Sequence, residues 1–327
     1  MLPVAIDAMG GDNAPVQILD GARLAADAGI PIVVVGRASD LGDARGLPVI
    51  EASEVIAMDD DPAKSVRTMK DSSLVRAAEA CRDGRASAFV SAGNTGATMA
   101  SALLRMGRIK GVARPAIATP IPVIGSTPTV LLDAGANAEC TPQFLIQFAQ
   151  MGAVYASWRY GIKNPRVGLL SIGEEDGKGN PLAKETNELL RAGAAGRGVN
   201  FIGNVEGRDI MSDNVDVVVT DGFTGNVVLK TLEGGMKFFA GKVFEALVSS
   251  PEAKEAAKVL LPALTPLAEA LDPNSYGGAM LLGIDGVCIV SHGSSNATAI
   301  LNAAKVARDM VEADLVGALR AAIRPQE

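Results

Sequence analysis

One local pattern recurs along this chain: an apolar, β-branched run, a turn of Gly, Ser, Asn or Thr, and the opening of a helix. It occurs at Phe89 to Thr98, Val130 to Asn137, Val217 to Lys230 and Ile289 to Asn296. A β-branched run bounded by small residues reads as a buried strand. The turn that follows presents backbone N–H groups without intrahelical partners, which suits an anion. In an open parallel sheet such turns lie outside the carboxyl ends of the strands, where ligands collect. Several turns of this kind on one chain predict a shared crevice.

The rest of the chain keeps the same rhythm. Val4 to Asp7 reads as a first strand, Pro15 opens a helix with Ile18, Ala22 and Ala25 on one face, and Ile32 to Gly36 is the next strand. That is a βαβ unit, and its near-continuous apolar strands suit a sheet covered on both faces. A helix from Asp71 to Cys81 follows. Further strands are expected to end at Ser91 and to run over Ala116 to Val123, Thr129 to Asp133, Arg166 to Ser171, Val215 to Thr220 and Val287 to Ser291, alternating with helices. The fold class is therefore α/β, an α/β/α sandwich with a mostly parallel sheet. From Val227 to about Leu271 two helical patterns follow one another with no strand between them, which predicts an inserted helical hairpin over 227–271. Pro262 and Pro266 are expected to interrupt or bend its second arm. No low-complexity linker divides the chain, so 1–327 reads as a single catalytic domain carrying that hairpin.

Composition narrows the chemistry. A net charge of −7 and an aromatic content of 4% speak against a nucleic-acid partner, which needs basic surface or stacking platforms. Cys81, Cys140 and Cys288 are odd in number and far apart, a usage that fits a reducing cytosol and offers no metal-ligand spacing. The chain starts directly into its first strand without a basic leader, so export by that route is not expected. No uncharged segment is long enough to cross a bilayer. His292 is the single histidine; it excludes multi-histidine metal chemistry, and it reads either as a site residue or as a local hydrogen-bonding group in a Gly-Ser turn. No metal and no cofactor are expected.

The candidate site residues come from the turns. Asp7, Gly10 and Gly11 close the first strand; Ser91, Gly93, Asn94, Thr95 and Gly96 follow the strand that ends at Ser91; Asp133 and Asn137 follow the next motif. Asp221, Thr224, Gly225 and Asn226 belong to the third motif, and His292 with Ser294 to the fourth. Gly173 lies in a polar loop, Ser171 to Pro181, whose acidic run reads as a solvated turn or a metal site; the helix after it carries Lys184. These parts supply amides, hydroxyls, carboxylates and a lysine, and no well-supported covalent nucleophile. They fit direct transfer. Phosphate is itself a nucleophile, so an enzyme that orients it against a thioester needs positioning and oxyanion stabilisation more than a reactive side chain.

The segments Asp7 to Asp12, Ser91 to Ala97, Leu132 to Asn137, Thr220 to Asn226 and Ser291 to Ser295 resemble bacterial phosphate acyltransferases, the acyl-carrier-protein:phosphate transacylases of phospholipid synthesis. The likeness runs from end to end. It implies transfer of a fatty acyl group from acyl carrier protein to inorganic phosphate, giving acyl phosphate for glycerol-3-phosphate acylation. It also implies a homodimer with a fold similar to isocitrate and isopropylmalate dehydrogenases. The helical hairpin would hold it on the inner face of the cell membrane as a cytoplasmic, peripheral protein, near a membrane glycerol-3-phosphate acyltransferase. The family pattern assigns function to Lys184 and Asn226. Asp221 is expected to orient one of them, and the Ser91 to Gly96 turn together with the backbone around Thr224 and Gly225 is expected to hold the phosphate. Asn13 stands where the family usually has His, and an amide cannot titrate. Two alternatives remain: a phosphate acetyl- or butyryltransferase acting on coenzyme A thioesters, and a non-catalytic acyl-ligand sensor. A decarboxylating dehydrogenase is disfavoured because the dinucleotide fingerprint is not evident.

Overall fold

The computed structural model describes residues 1–196 and 198–323. In chain order its strands and α-helices are β1 (Val4–Asp7), α1 (Val16–Asp27), β2 (Ile32–Gly36), α2 (Ala38–Leu41), β3 (Val49–Glu51), α3 (Pro62–Thr68), α4 (Ser73–Arg82), β4 (Ala88–Ser91) and α5 (Thr95–Arg105). Then come β5 (Ala116–Ile121), β6 (Thr129–Leu132), α6 (Pro142–Tyr160), β7 (Arg166–Leu170), α7 (Pro181–Arg191), β8 (Asn200–Val205) and β9 (Val217–Val219). The chain continues through α8 (Gly222–Leu247), α9 (Pro251–Leu271), β10 (Ala279–Leu282), β11 (Val287–Val290), α10 (Ala297–Glu312) and α11 (Leu315–Ile323).

All eleven strands join one sheet in the order β3-β2-β1-β4-β11-β10-β5-β6-β9-β7-β8. Alternate residues feed opposite faces, as strand geometry requires. Val4 and Ile6, Val130 and Leu132, and Val217 and Val219 pack with α1, α6 and α10, while Ala5, Leu131 and Val218 pack on the face that carries α4, α5 and the start of α8. Burial on both faces is why these strands read as continuous apolar runs.

The centre of the sheet departs from the expected alternation. β11–β10, β10–β5 and β5–β6 are antiparallel, whereas the pairs on either side are parallel. β5 and β6 form a hairpin instead of flanking a helix, because Pro122 to Pro128 is too short for a crossover connection. β3, β8 and β10 were not expected; β3 is a short edge strand, and β8 carries Asn and Gly among its apolar residues. The reversal has a geometric consequence. β3, β2, β1, β4 and β11 point one way, and β6, β9, β7 and β8 point the other. The motif turns therefore lie on two opposite edges of the sheet, not on one.

α8 and α9 follow one another with no strand between them. Their outer parts are solvated: Phe238, Phe239, Phe244 and Val259 are 69%, 70%, 62% and 79% exposed. Pro262 and Pro266 do not interrupt α9, which is continuous from Pro251 to Leu271. Both prolines sit on an exposed stretch, where water can satisfy the carbonyls that lose their amide partners.

The packing of α1 on α10 depends on Gly21. A Cβ at that position would lie 2.6 Å from the Ala297 carbonyl oxygen and 2.6 Å from Ile300 Cβ, and neither is a flexible chain end. The clash outweighs the gain in helix propensity of about 1 kcal/mol that Ala normally brings. Gly21→Ala should lower stability in thermal or denaturant melts by about 1–3 kcal/mol, the usual cost of overpacking; a stabilised variant would show that α1 and α10 are free to move apart.

Candidate active site

On one edge three turns interlock. The Asp7 carboxylate is buried, accepts from Ser91 Oγ at 2.7 Å and from the Met9 N–H at 3.2 Å, and burial pushes its pKa up against those donors. Gly10 has no room for a side chain, because a Cβ would lie 2.6 Å from both Asp7 Oδ2 and the Gly93 nitrogen. Ser91 Oγ accepts in turn from the Gly93 N–H at 3.0 Å. Asn94 caps α5 by accepting from the Ala97 N–H at 3.0 Å, and its amide donates to the Met58 and Asp60 carbonyls at 3.0 and 3.1 Å. Asp12 donates its N–H to the Gly293 carbonyl at 2.8 Å, and Asn13 Nδ2 donates to the Ser294 and Ser295 carbonyls at 3.3 and 3.4 Å. Asn13 thus works as a brace between the β1 and β11 turns. Gly11 packs against the Gly293 carbonyl, and Gly96 against Pro62.

The opposite edge is organised by Asp133. It is fully buried and accepts five hydrogen bonds: from the N–H groups of Ile117, Gly135, Ala136 and Asn137, at 3.0, 3.1, 2.9 and 2.7 Å, and from Asn137 Nδ2 at 2.9 Å. Burial raises its pKa, and these donors pull the other way. Asn137 also donates to the Pro115 carbonyl at 2.8 Å. α8 starts against this turn so closely that a Cβ on Gly225 would lie 1.9 Å from the Asp133 carbonyl oxygen. Asp221 is the N-cap of α8; its two oxygens take the Thr224 N–H and hydroxyl, both at 2.8 Å. The Asn226 side chain is exposed and lies beside Gly135.

Two cavities open between these groups. The first, about 220 Å³, lies on one face of the sheet over β5 and β10, in the gap between α5 and α8. Because the half-sheets run in opposite directions, these helices enter the gap from opposite ends. Thr95, Ser291, His292 and Ser295 line one end, and Ala134 and Asn226 the other. Between them the wall is apolar, built by Ile117, Ile121, Leu229, Leu232, Met236 and Leu271. The second cavity, about 590 Å³, lies outside the ends of β7 and β9 and is lined by Ser171, Asn180, Asp221 and Thr224 among others. The first turn of α8 separates the two.

The separation of the ends follows from the register. Ile289, Met280, Ala118 and Leu132 form one row across β11, β10, β5 and β6. Ser291 lies two residues beyond that row in one direction, and Asp133 one residue beyond it in the other. With standard strand rise and spacing they are roughly 17 Å apart. The Ser91 to Gly96 turn and the Thr224 to Gly225 backbone therefore do not converge on one phosphate.

Of the residues singled out from the sequence, Thr95, Asn226 and His292 line the first cavity, and Asp221 and Thr224 the second. Asp7, Gly10, Ser91, Gly93, Asn94, Asp133, Asn137 and Gly225 face inward and fix the turns to one another. Lys184 is exposed on the first turn of α7 and lines neither cavity. Gly173 is buried in its loop, where Glu174 pairs with Arg208 at 3.0 Å and Asp176 with Arg191 at 2.5 Å. Those pairs match the solvated-turn reading of the acidic run. Ser294 N–H donates to His292 Nδ1 at 3.2 Å. Ser291 and Tyr276 line the first cavity and are not among the candidate site residues, although Ser291 opens the Ser291 to Ser295 segment and stands at a strand end immediately before the lone histidine. Burial pushes the Cys140 thiol up to about 11 and Cys81 to about 12, so neither is an activated nucleophile.

Residues 2–317 match the family described as "Fatty acid synthesis protein". The phosphate acyltransferase of Elusimicrobium minutum is 48% identical over 97% of this chain and 94% of its own length, and that of Pelotomaculum thermopropionicum is 48% identical over 100% and 96%. Among solved structures, a phosphotransacetylase from Streptococcus pyogenes superposes with a TM-score of 0.61 at 15% identity, covering 95% of this chain and 94% of that one. A 4-hydroxythreonine-4-phosphate dehydrogenase from Klebsiella pneumoniae gives 0.52 at 14% identity, covering 95% and 100%. These last two show a shared fold. At this identity and coverage the chain belongs to the phosphate acyltransferase family, and is an acyltransferase enzyme that acts on phosphate.

Proposed function

We propose that the enzyme transfers a fatty acyl group from acyl carrier protein to inorganic phosphate, releasing acyl phosphate and the free carrier thiol. The observation that carries this reading is the first cavity, with an apolar wall between two polar ends, each formed at a helix N-terminus. The thioester carbonyl lies at the Asn226 end, and the aliphatic chain runs along Leu229, Leu232, Met236 and Leu271. Phosphate approaches at the first turn of α8, at the positive end of that helix's dipole and beside the Thr224 and Asn226 side chains. A phosphate oxygen attacks the carbonyl carbon, a tetrahedral oxyanion forms, and the C–S bond breaks as the thiolate leaves and takes up a proton. The side-chain amide of Asn226 donates to the oxyanion, an interaction that strengthens as charge develops. Asp221 holds the turn through Thr224. Lys184 acts by reaching toward this turn from α7, its charge meeting phosphate and the leaving sulfur.

We further propose that the chain works as one catalytic unit within a homodimer arranged like isocitrate and isopropylmalate dehydrogenases. It sits on the cytoplasmic side of the membrane, near the glycerol-3-phosphate acyltransferase that consumes its product. Among the described residues no helix is long and apolar enough to cross a membrane. The exposed Phe238, Phe239, Val259, Leu260 and Leu261 of α8 and α9 offer the apolar area for surface attachment, and Lys254 and Lys258 can meet anionic headgroups.

Turnover with acyl carrier protein should exceed that with acyl-coenzyme A and vanish when phosphate is omitted. In the same assay Asn226→Ala should lower kcat by roughly 10²–10³, the scale for one oxyanion donor, with KM little changed. Lys184→Ala should cost at least as much, and Lys184→Arg should rescue poorly because a planar fork does not replace a compact ammonium. Folded Asn226→Ala and Lys184→Ala enzymes with near-normal turnover would place the chemistry elsewhere. For the attachment, Leu260→Glu combined with Leu261→Glu should abolish co-sedimentation with anionic vesicles while the dimer persists; continued sedimentation rejects membrane binding through α9.

A further inference from the structure

We infer that the α5 end of the first cavity is a subsite for a tetrahedral phosphate group, held by the Ser291 hydroxyl, the N-terminus of α5 and His292 Nε2. The inference rests on the proposed acyl transfer and adds to it a second anion position, remote from the reacting carbonyl at Asn226.

Ser291 is 5% exposed, and its Oγ has no hydrogen-bond partner. A buried hydroxyl left unpaired is uncommon and calls for a ligand or a cost. Here it lies in the cavity wall. Gly278 leaves the space beside it open, since a Cβ there would come within 3.1 Å of Ser291 Oγ. Thr95 lines the same end as the first residue of α5, an eleven-residue helix. Asn94 spends its Oδ1 on the Ala97 N–H, which leaves the N–H groups of Thr95 and Gly96 without intrahelical acceptors. His292 Nδ1 meets both the Ser294 N–H at 3.2 Å and the Ser294 hydroxyl at 2.8 Å; with Nδ1 accepting from both, the neutral ring carries its proton on Nε2, a further donor. Ser295 Oγ is committed to the His292 carbonyl at 2.6 Å and braces the turn.

The surroundings favour an anion. Among the described residues the one carboxylate lining the cavity is Glu233, on the α8 wall, and Lys230 neutralises it at 2.8 Å. Ser291 and Asp133, at the strand ends beneath the two turns, are roughly 17 Å apart by strand rise and spacing, so this subsite and the Asn226 end serve different groups or different stages. Two phosphate groups are present in the proposed reaction. One is the phosphodiester that joins the pantetheine arm to its carrier, which would anchor the donor while its thioester reaches Asn226. The other is inorganic phosphate itself, held before attack.

Steady-state kinetics of Ser291→Ala and Ser291→Val, with thermal melts to confirm folding, separate these sources. Three substrates are varied: acyl carrier protein, an acyl-pantetheine without the phosphate, and inorganic phosphate. The subsite predicts a KM raised roughly tenfold or more, the scale of a hydrogen bond to a charged group, with kcat within about twofold. A rise for acyl carrier protein but not for acyl-pantetheine assigns the subsite to the donor's phosphodiester. A rise for inorganic phosphate with either donor assigns it to the acceptor. Unchanged KM values for both in folded variants overturn the inference, as does an equal loss for all three substrates with a lowered Tm. Wild-type enzyme that fails to turn over acyl carrier protein in the presence of phosphate refutes the proposed reaction instead, a result distinct from either outcome for Ser291.

Discussion

The three successive antiparallel pairs β11–β10, β10–β5 and β5–β6 at the middle of the sheet are the constraint on which the rest depends. They join two parallel half-sheets of the usual kind, β3-β2-β1-β4-β11 and β6-β9-β7-β8, in opposite directions. Each half alone would place its helix N-termini along one edge. Joined through the reversed pairs, the halves bring α5 and α8 over the same face from opposite ends, with β5 and β10 between them. A cavity with a helix N-terminus at each end follows from that connectivity, and the side chains of Ile117, Ile121, Leu229, Leu232 and Met236 make its middle apolar. The proposed substrates bring a long apolar chain and charged groups together, which suits such a shape.

The turns at both ends are held by interactions that point inward. Asp133 satisfies four backbone N–H groups and one side-chain amide, and Asp7 ties β1 to β4 through Ser91. A buried carboxylate is costly unless it is fully hydrogen-bonded, and these two are used as fasteners. Glycine serves the same end: Gly10 and Gly225 permit backbone approaches that no side chain would allow. Rigid turns of this kind keep the N-termini of α5 and α8 fixed, and a preorganised polar environment costs little reorganisation when charge develops.

Much of the fold was legible in the sequence, and the reasons are physical. The β-branched runs at β1, β2, β4, β9 and β11 are buried on both faces, so they carry a strong continuous signal. The glycine-rich turns sat where expected, at strand ends. The reversal at the centre was harder to read because direction leaves no mark in composition, although the short Pro122 to Pro128 connection contains the information. At the site, residue type identified the turns but not which groups face inward. Asp133 and Asn137 read as ligand-binding residues, yet they satisfy their own backbone. The unpaired hydroxyl of Ser291 leaves no mark in the sequence, since a missing hydrogen-bond partner is a property of three dimensions. The continuity of α9 through Pro262 and Pro266 shows a propensity rule yielding where the helix is solvated.

The most direct test is a crystal structure of the enzyme with a non-cleavable, carbon-bridged analogue of acyl-pantetheine and inorganic phosphate. The account predicts continuous density for the analogue in the gap between α5 and α8, with its carbonyl within hydrogen-bond reach of the Asn226 amide and its chain against Leu232 and Met236. Density for the analogue in the cavity beneath Ser171 and Asp221, with the α5–α8 gap left to solvent, would contradict it.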